Sequence, residues 1–405
     1  MKRKIIFDVI LNLIATLIPM FVLQFLVLPQ VALRIGADSY GQLLAIIAFM
    51  YLSASSFGSV LNNSKLIHYK RYEEMKTQGD FNIILVIFLI LNALIMTLGL
   101  LFYGQSLSLL TNISLVIISS VLLFNTYASA EFRVKLNFKN IFMSSIMLFL
   151  GYLIGFALFL FTGYWSLIYL FGLGLNILFL FYKTSIWREH YIKTRLFRNT
   201  FKEVIMLLGS GILVSIGAYV DKLIIFPLLG GAAVSIYYTA TILGKTIALA
   251  IGPITGVLLS YLAHMRRFST NNFKSLLLIS SIVGFIGYWS VIIISEPLLV
   301  LIYPQYVEDA IQYIPVTTLS IIITIISSVI NPILLKFLSA RWQLFINGLY
   351  MLIYVPVSMY LLNSHGLMGF CIGILIANFA KLLIMIITYF YVNKSTNANN
   401  LSEEY

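Results

Sequence analysis

Apolar runs of about 20 residues, the length a helix needs to cross a bilayer, recur along this whole sequence. Twelve can be marked, at 6–28, 41–62, 81–103, 112–131, 141–162, 164–186, 204–229, 235–260, 275–299, 313–335, 343–362 and 367–390. Only 10% of the 405 residues are charged and 60% are hydrophobic, whereas soluble domains carry about 25% charged residues. The pattern predicts an all-α polytopic membrane protein with about twelve transmembrane helices and no sizeable soluble domain. A soluble enzyme, a nucleic-acid binder and a secreted module are excluded on this reading. The first run follows Met1-Lys-Arg-Lys. It is too long for a signal peptide, has no small-residue cleavage site, and reads as a retained helix.

The formal net charge is +12, and in a membrane chain the placement of the charges matters more than their sum. The N-terminus and alternate loops hold 22 of the 26 Lys and Arg residues. The opposite loops hold one, Arg34, and Lys222, Lys245 and Lys381 lie inside spans. Such asymmetry puts both termini of this multi-pass protein in the cytoplasm. The basic balance then faces anionic lipid and requires no nucleic acid.

The longest cytoplasmic stretch, 187–203, divides the spans into two sets of six. Trp187, Tyr191, Leu196 and Phe201 recur at roughly helical spacing among its basic residues. Both an amphipathic helix on the inner surface and a basic linker fit. The organisation expected is a six-helix lobe over 1–186, the linker, a second six-helix lobe over 204–390 and a cytoplasmic tail over 391–405. The halves share a loop pattern. Leu28-Pro29, Gly36, Tyr40 and Gly41 in the first loop parallel Pro227, Gly230, Gly231 and Tyr237 in the second half. Gly163-Tyr-Trp before Asn176 parallels Gly366-Leu-Met-Gly369 before Asn378. Because six is even, both halves enter the membrane the same way round. Such a parallel repeat suits two lobes around a central cavity.

These loops also carry a family resemblance. Leu28-Pro29 to Gly41 resembles the first-loop pattern of bacterial polysaccharide exporters, and Tyr219-Val-Asp221-Lys222 resembles their aspartate followed by a basic residue. Glu296-Pro297 to Tyr306 resembles their Gly-x-x-Tyr turn, with Pro304 where glycine is usual, and Gly366-Leu-Met-Gly369 resembles the entry to their twelfth helix. Order and spacing over most of the chain resemble a Wzx-type flippase of the multidrug/oligosaccharidyl-lipid/polysaccharide exporter superfamily. The resemblance implies movement of an undecaprenyl-diphosphate-linked oligosaccharide to the outer leaflet, for O-antigen, capsule or a related polymer. It also implies work alongside a polysaccharide polymerase and chain-length machinery, with membrane lipids around the protein and no cofactor.

Ionisable side chains inside spans cost several kcal/mol and usually face a cavity or a partner. Asp221 and Lys245 fall ~12 Å and ~15 Å below one membrane surface, on helices joined by a short turn, and Lys381 falls ~21 Å from Leu367. If Asp221 faces Lys245, then Lys222, about 100° further round the helix, can face elsewhere. Three lysines against one aspartate leave a positive surplus that suits a diphosphate. The candidate diphosphate-binding residues are therefore Lys222, Lys245, Lys381 and Arg34; the candidates for ion coupling or charge pairing are Asp221 and Asp8. Blander readings stand beside these. Asp221–Lys245 can be a packing pair, Lys381 can snorkel, Asp8 can be a solvated helix-start carboxylate, and Arg34 can cap a helix end.

The remaining features carry less. Gly151/Gly155, Gly252/Gly256 and Gly369/Gly373 are spaced for close helix packing. Pro19, Pro253, Pro332 and Pro356 lie inside spans as kink positions. His68, His190, His264 and His365 have no metal spacing. Cys371 is the one cysteine, and no Gly-x4-Gly-Lys-Ser/Thr loop occurs. The expected protein is not an enzyme. The rivals are a cation-coupled multidrug exporter of the same superfamily and a membrane glycan polymerase or ligase; the latter needs a large external loop that this chain lacks.

Overall fold

The computed structural model describes residues 2–77, 80–189, 191–263, 265, 269–337 and 340–402. Side chains are described from Ile10 to Tyr391, apart from 250, 253, 254, 256, 257, 259–261, 263, 340 and 341 within that range. Among these residues all regular structure is helical. Ten helices are long and apolar enough to cross a membrane. Ile10–Ile35, Ala37–Glu74, Asp80–Tyr103, Leu109–Val134, Phe138–Thr162 and Ser166–Lys183 form the first six spans. Thr270–Ile302 and Val307–Phe337 are the ninth and tenth. Phe197–Leu249 and Trp342–Tyr391 run to 53 and 50 residues. The first leaves helical geometry at Gly230 and the second at His365 and Gly366. Each therefore supplies two crossings: a seventh and eighth helix meeting at Gly230, and an eleventh and twelfth meeting at Gly366. The architecture is that of an all-α polytopic membrane protein.

Local chemistry sets the ends. Ser108, Asn137 and Ser269 accept the backbone N–H of Thr111, Asn140 and Asn272, so each supplies an N-cap. Gly163 ends the fifth span in left-handed geometry, with its N–H on the Phe159 carbonyl at 2.8 Å. It makes the turn expected there. The ninth helix runs through Pro297 to Ile302, and Pro304 follows its end, where a residue without an N–H does no harm. A π-helical turn over Leu23–Val27 leads into Pro29 and lets the chain pass a residue that cannot donate backward.

The two loop motifs matched by sequence share one backbone conformation. Gly36 has φ 78° and ψ 168°, and Gly230 has φ 84° and ψ 177°. Both lie in a region essentially restricted to glycine, directly before the next helix.

The chain divides into two compact units, one ending at Val234 and the other beginning at Ser235. The first is held by packing of the fifth span on the sixth, where Gly151 and Gly155 admit the carbonyls of Phe171 and Leu167. Asn62, Asn92 and Asn125 add hydrogen bonds between spans. The seventh helix, which the expected lobes assign to the second half, packs within this first unit. Its Ser215 hydroxyl accepts from Ser56 at 2.7 Å, Tyr219 stacks on Tyr51, and the Leu223 carbonyl accepts from Tyr103 at 3.2 Å. In the second unit Phe273 stacks on Tyr389 at 3.8 Å within a core that includes Ile326, Ile330, Ile333 and Met385. Gly369 and Gly373 bring the twelfth helix against Leu361 and Ser358 of the eleventh, while among the described residues nothing comes within 4 Å of a Cβ on Gly252. Gly256, its expected partner in packing, lies outside the residues whose side chains are described.

The linker carries one 3-10 turn at Ile186–Arg188, and helix resumes at Phe197. The intervening segment is tied down by polar contacts. The Asn82 amide donates to the carbonyls of Ile186 and Glu189, and the Thr194 N–H donates to Asp80.

Candidate functional site

Asp221 and Lys222 sit eight or nine residues before Gly230 on the seventh helix. Both are buried, at 4% and 8% exposure. The Lys222 ammonium lies 3.3 Å from Asp221 Oδ1, and the Lys222 backbone N–H donates to the same oxygen at 2.8 Å. Adjacent residues project about 100° apart. The four-carbon lysine stem folds back across that angle and delivers its charge to the neighbouring carboxylate. Sequence spacing locates the Cα of a lysine but not the end of its chain.

Lys245 and Lys381 belong to the second unit. Lys245 is half-buried on the eighth helix, with its ammonium 5.3 Å from the ring centre of Tyr237, two turns earlier on the same helix. Tyr237 is itself buried and meets Phe370 edge-on. Lys381 is half-buried near the middle of the twelfth helix. Its ammonium lies 4.7 Å from the ring centre of Tyr350, which stacks on Tyr354. Among the described residues no carboxylate comes within 4 Å of Lys381. Both lysines thus rest on electron-rich ring faces. Sequence reasoning missed these tyrosines. Tyr237 was detectable at helical spacing from Lys245, but Tyr350 is 31 positions from Lys381 and only tertiary packing joins them.

Arg34 takes the capping role. Its guanidinium donates to the Leu160 carbonyl at 2.6 Å, in the last turn of the fifth span, and lies 5.8 Å from the Phe159 ring. A cation there meets an unsatisfied carbonyl and the negative end of the helix dipole. The side chain of Asp8 lies outside the described residues, as do His190 and His264. Among the described residues no group of three His, Cys, Asp or Glu could hold a metal.

No protein-family model matches the chain, and no curated protein matches it in sequence. Solved structures do match in three dimensions. A multidrug resistance MATE family transporter of the MOP superfamily, in an inward-facing conformation, superposes with a TM-score of 0.68 at 14% identity, covering 96% of this chain and 98% of its own. The lipid II flippase MurJ, in an inward closed conformation, gives 0.69 at 14%, covering 96% and 87%. This chain has their fold. A third similar structure is a MOP superfamily transporter from Pyrococcus furiosus, described as having a binding pocket of reverse polarity, with a TM-score of 0.62 at 15% identity over 96% of each chain. The solved proteins that this chain resembles are transporters and a flippase.

Proposed function

We propose that this chain is a flippase carrying an undecaprenyl-diphosphate-linked oligosaccharide repeat unit from the inner to the outer leaflet of the bacterial plasma membrane. Alternating access on the shared fold moves the unit, which then supplies a polymerase for O-antigen, capsule or a related polysaccharide. The observation that carries this reading is Lys381: half-buried in mid-span, held over the Tyr350 ring, with no carboxylate near it among the described residues. A cation at that depth costs several kcal/mol, and a cation–π contact returns about 0.5–2 kcal/mol of it. An arriving anion offsets the remainder. A diphosphate provides that charge, and lysine meets it as a compact point donor. Lys245 likewise lies over a tyrosine ring, that of Tyr237. Asp221 and Lys222 are assigned to charge pairing and Arg34 to helix capping. Both termini face the cytoplasm, as the charge asymmetry requires.

A multidrug exporter moving organic cations is the competing activity on this fold, and it calls for a cavity carboxylate rather than lysines. The test expresses the chain in a flippase-deficient strain and in a drug-hypersensitive one. Surface glycan should return in the first, fail with Lys381→Ala, and return in part with Lys381→Arg at equal protein abundance. Drug resistance without glycan export would replace this reading with the exporter.

A further inference from the structure

Four carboxylates at the lysine-rich end of the first unit each have a partner. Asp80, fully buried, accepts from the Tyr72 hydroxyl at 2.7 Å and from the Thr194 N–H at 2.8 Å. Glu131 accepts from the Ser185 N–H at 2.7 Å and pairs with Lys135. Glu189 lies 2.7 Å from the Lys65 ammonium. Glu203, in the first turns of the seventh helix, lies 2.6 Å from Nε2 of His68 in the second span. Hydroxyl, amide and ammonium donors keep their protons at neutral pH. Imidazole is the side chain whose charge ordinarily changes between about pH 5 and 8.

The other ring nitrogen decides the proton count. Nδ1 of His68 is 3.1 Å from the backbone carbonyl of Ser64. A carbonyl oxygen only accepts, so Nδ1 carries a hydrogen. A neutral imidazole would then point the Nε2 lone pair at a carboxylate oxygen 2.6 Å away. The contact requires a further proton, on Nε2 or on the carboxyl oxygen. Either placement gives the pair one proton more than neutral imidazole beside carboxylate. The imidazole is 5% exposed, but Glu203 is 43% exposed, which leaves the proton a way to solvent.

The neighbouring groups are otherwise engaged. On the second span, Lys65 turns to Glu189 and Tyr127, and Tyr72 turns to Asp80 and Thr200. From the third, the Phe81 ring meets the imidazole edge-on at 6.5 Å, and Asp80 is held by Tyr72 and Thr194. From the seventh, Glu203 faces His68 while Lys202 is exposed. Arg71, one turn on, is also exposed.

We propose that His68 and Glu203 form a proton-binding site that clasps the start of the seventh helix to the second span and opens when the proton leaves. Opening breaks one N–H···O contact, gives the proton to water, and leaves neutral imidazole and free carboxylate. Resting on the transporter reading above, this makes H⁺ the ion tied to movement of the seventh helix.

The test uses the full-length protein in lipid nanodiscs, with Cys371→Ser and spin labels at Lys70→Cys and Lys202→Cys, both exposed positions. Distance distributions are recorded from about pH 5 to about pH 9, bracketing the imidazole range. One short distance is expected in acid. Above the midpoint, the ratio of clasped to open populations should fall about tenfold per pH unit, the slope for one proton. Glu203→Gln should keep the short distance at every pH, because an amide N–H donates to the neutral Nε2. His68→Gln should abolish the pH dependence. A wild-type distribution unchanged across this range, or a pH dependence that survives both variants, would overturn the proposal. The readout needs no substrate, so its failure is separate from any failure of the flippase reading.

Discussion

Gly41 and Gly231 meet so closely that neither position has room for a methyl group. A Cβ on Gly41 would lie 1.8 Å from the Gly231 carbonyl oxygen, and one on Gly231 would lie 2.1 Å from the Asp38 carbonyl oxygen. The Ala232 N–H donates to the Asp38 carboxylate at 3.0 Å beside this contact. Two glycines from repeat-related loops thus form a backbone-on-backbone junction.

That junction predicts sharp sensitivity. Gly41→Ala or Gly231→Ala should each destabilise the protein by about 1–3 kcal/mol, the usual cost of overpacking, because the atoms in the way are main chain. Thermal unfolding in detergent measures it. Gly174→Ala, on an open helix face with nothing within 4 Å, should be neutral or slightly stabilising. Equal melting temperatures for all three variants would contradict the packing described.

Asp221 and Lys222 should behave as a unit. Removing one partner of a buried pair leaves an uncompensated charge and costs about 3–5 kcal/mol. Asp221→Leu should therefore lower the melting temperature markedly, and Asp221→Leu/Lys222→Leu should recover most of the loss. A double variant as unstable as the single one would show that the pair is not the main partnership.

Arg34→Ala tests capping against ligand binding. Loss of a contact at an exposed helix end costs about 0.3–1 kcal/mol and should leave glycan export at the wild-type level. Loss of export at unchanged stability would return Arg34 to the substrate residues.

Orientation is open to direct measurement. Reporter fusions after Lys139, Arg195 and Lys394 should all report cytoplasm, since these lysine-rich segments carry the charge asymmetry. An external signal at Arg195 would reverse the assignment around the linker.

Much of this fold was legible because hydrophobicity and length are local properties. The twelve apolar runs, the Gly163 turn and the paired loops of Gly36 and Gly230 all follow from residues near one another in sequence. The site was less legible because lysine side chains are long and their partners remote. The depth of Lys381 could be counted along its helix, but the Tyr350 face beneath it could not. The Cβ direction of Lys222 did not give the position of its charge, because the long stem folds back to Asp221. His68 had no metal spacing and looked unremarkable until Glu203, 135 positions later, arrived beside it.

The seventh helix touches the second and third spans of its own unit at three heights, through Glu203 to His68, Ser215 to Ser56, and Leu223 to Tyr103. This bears on biogenesis. When the sixth helix has entered the membrane, the second still presents Ser56 and His68 to an empty neighbouring place. Folding of the first half must wait for a helix made after the linker, so translation through Val234 completes it. A gene cut at the linker would divide one folding unit between two polypeptides.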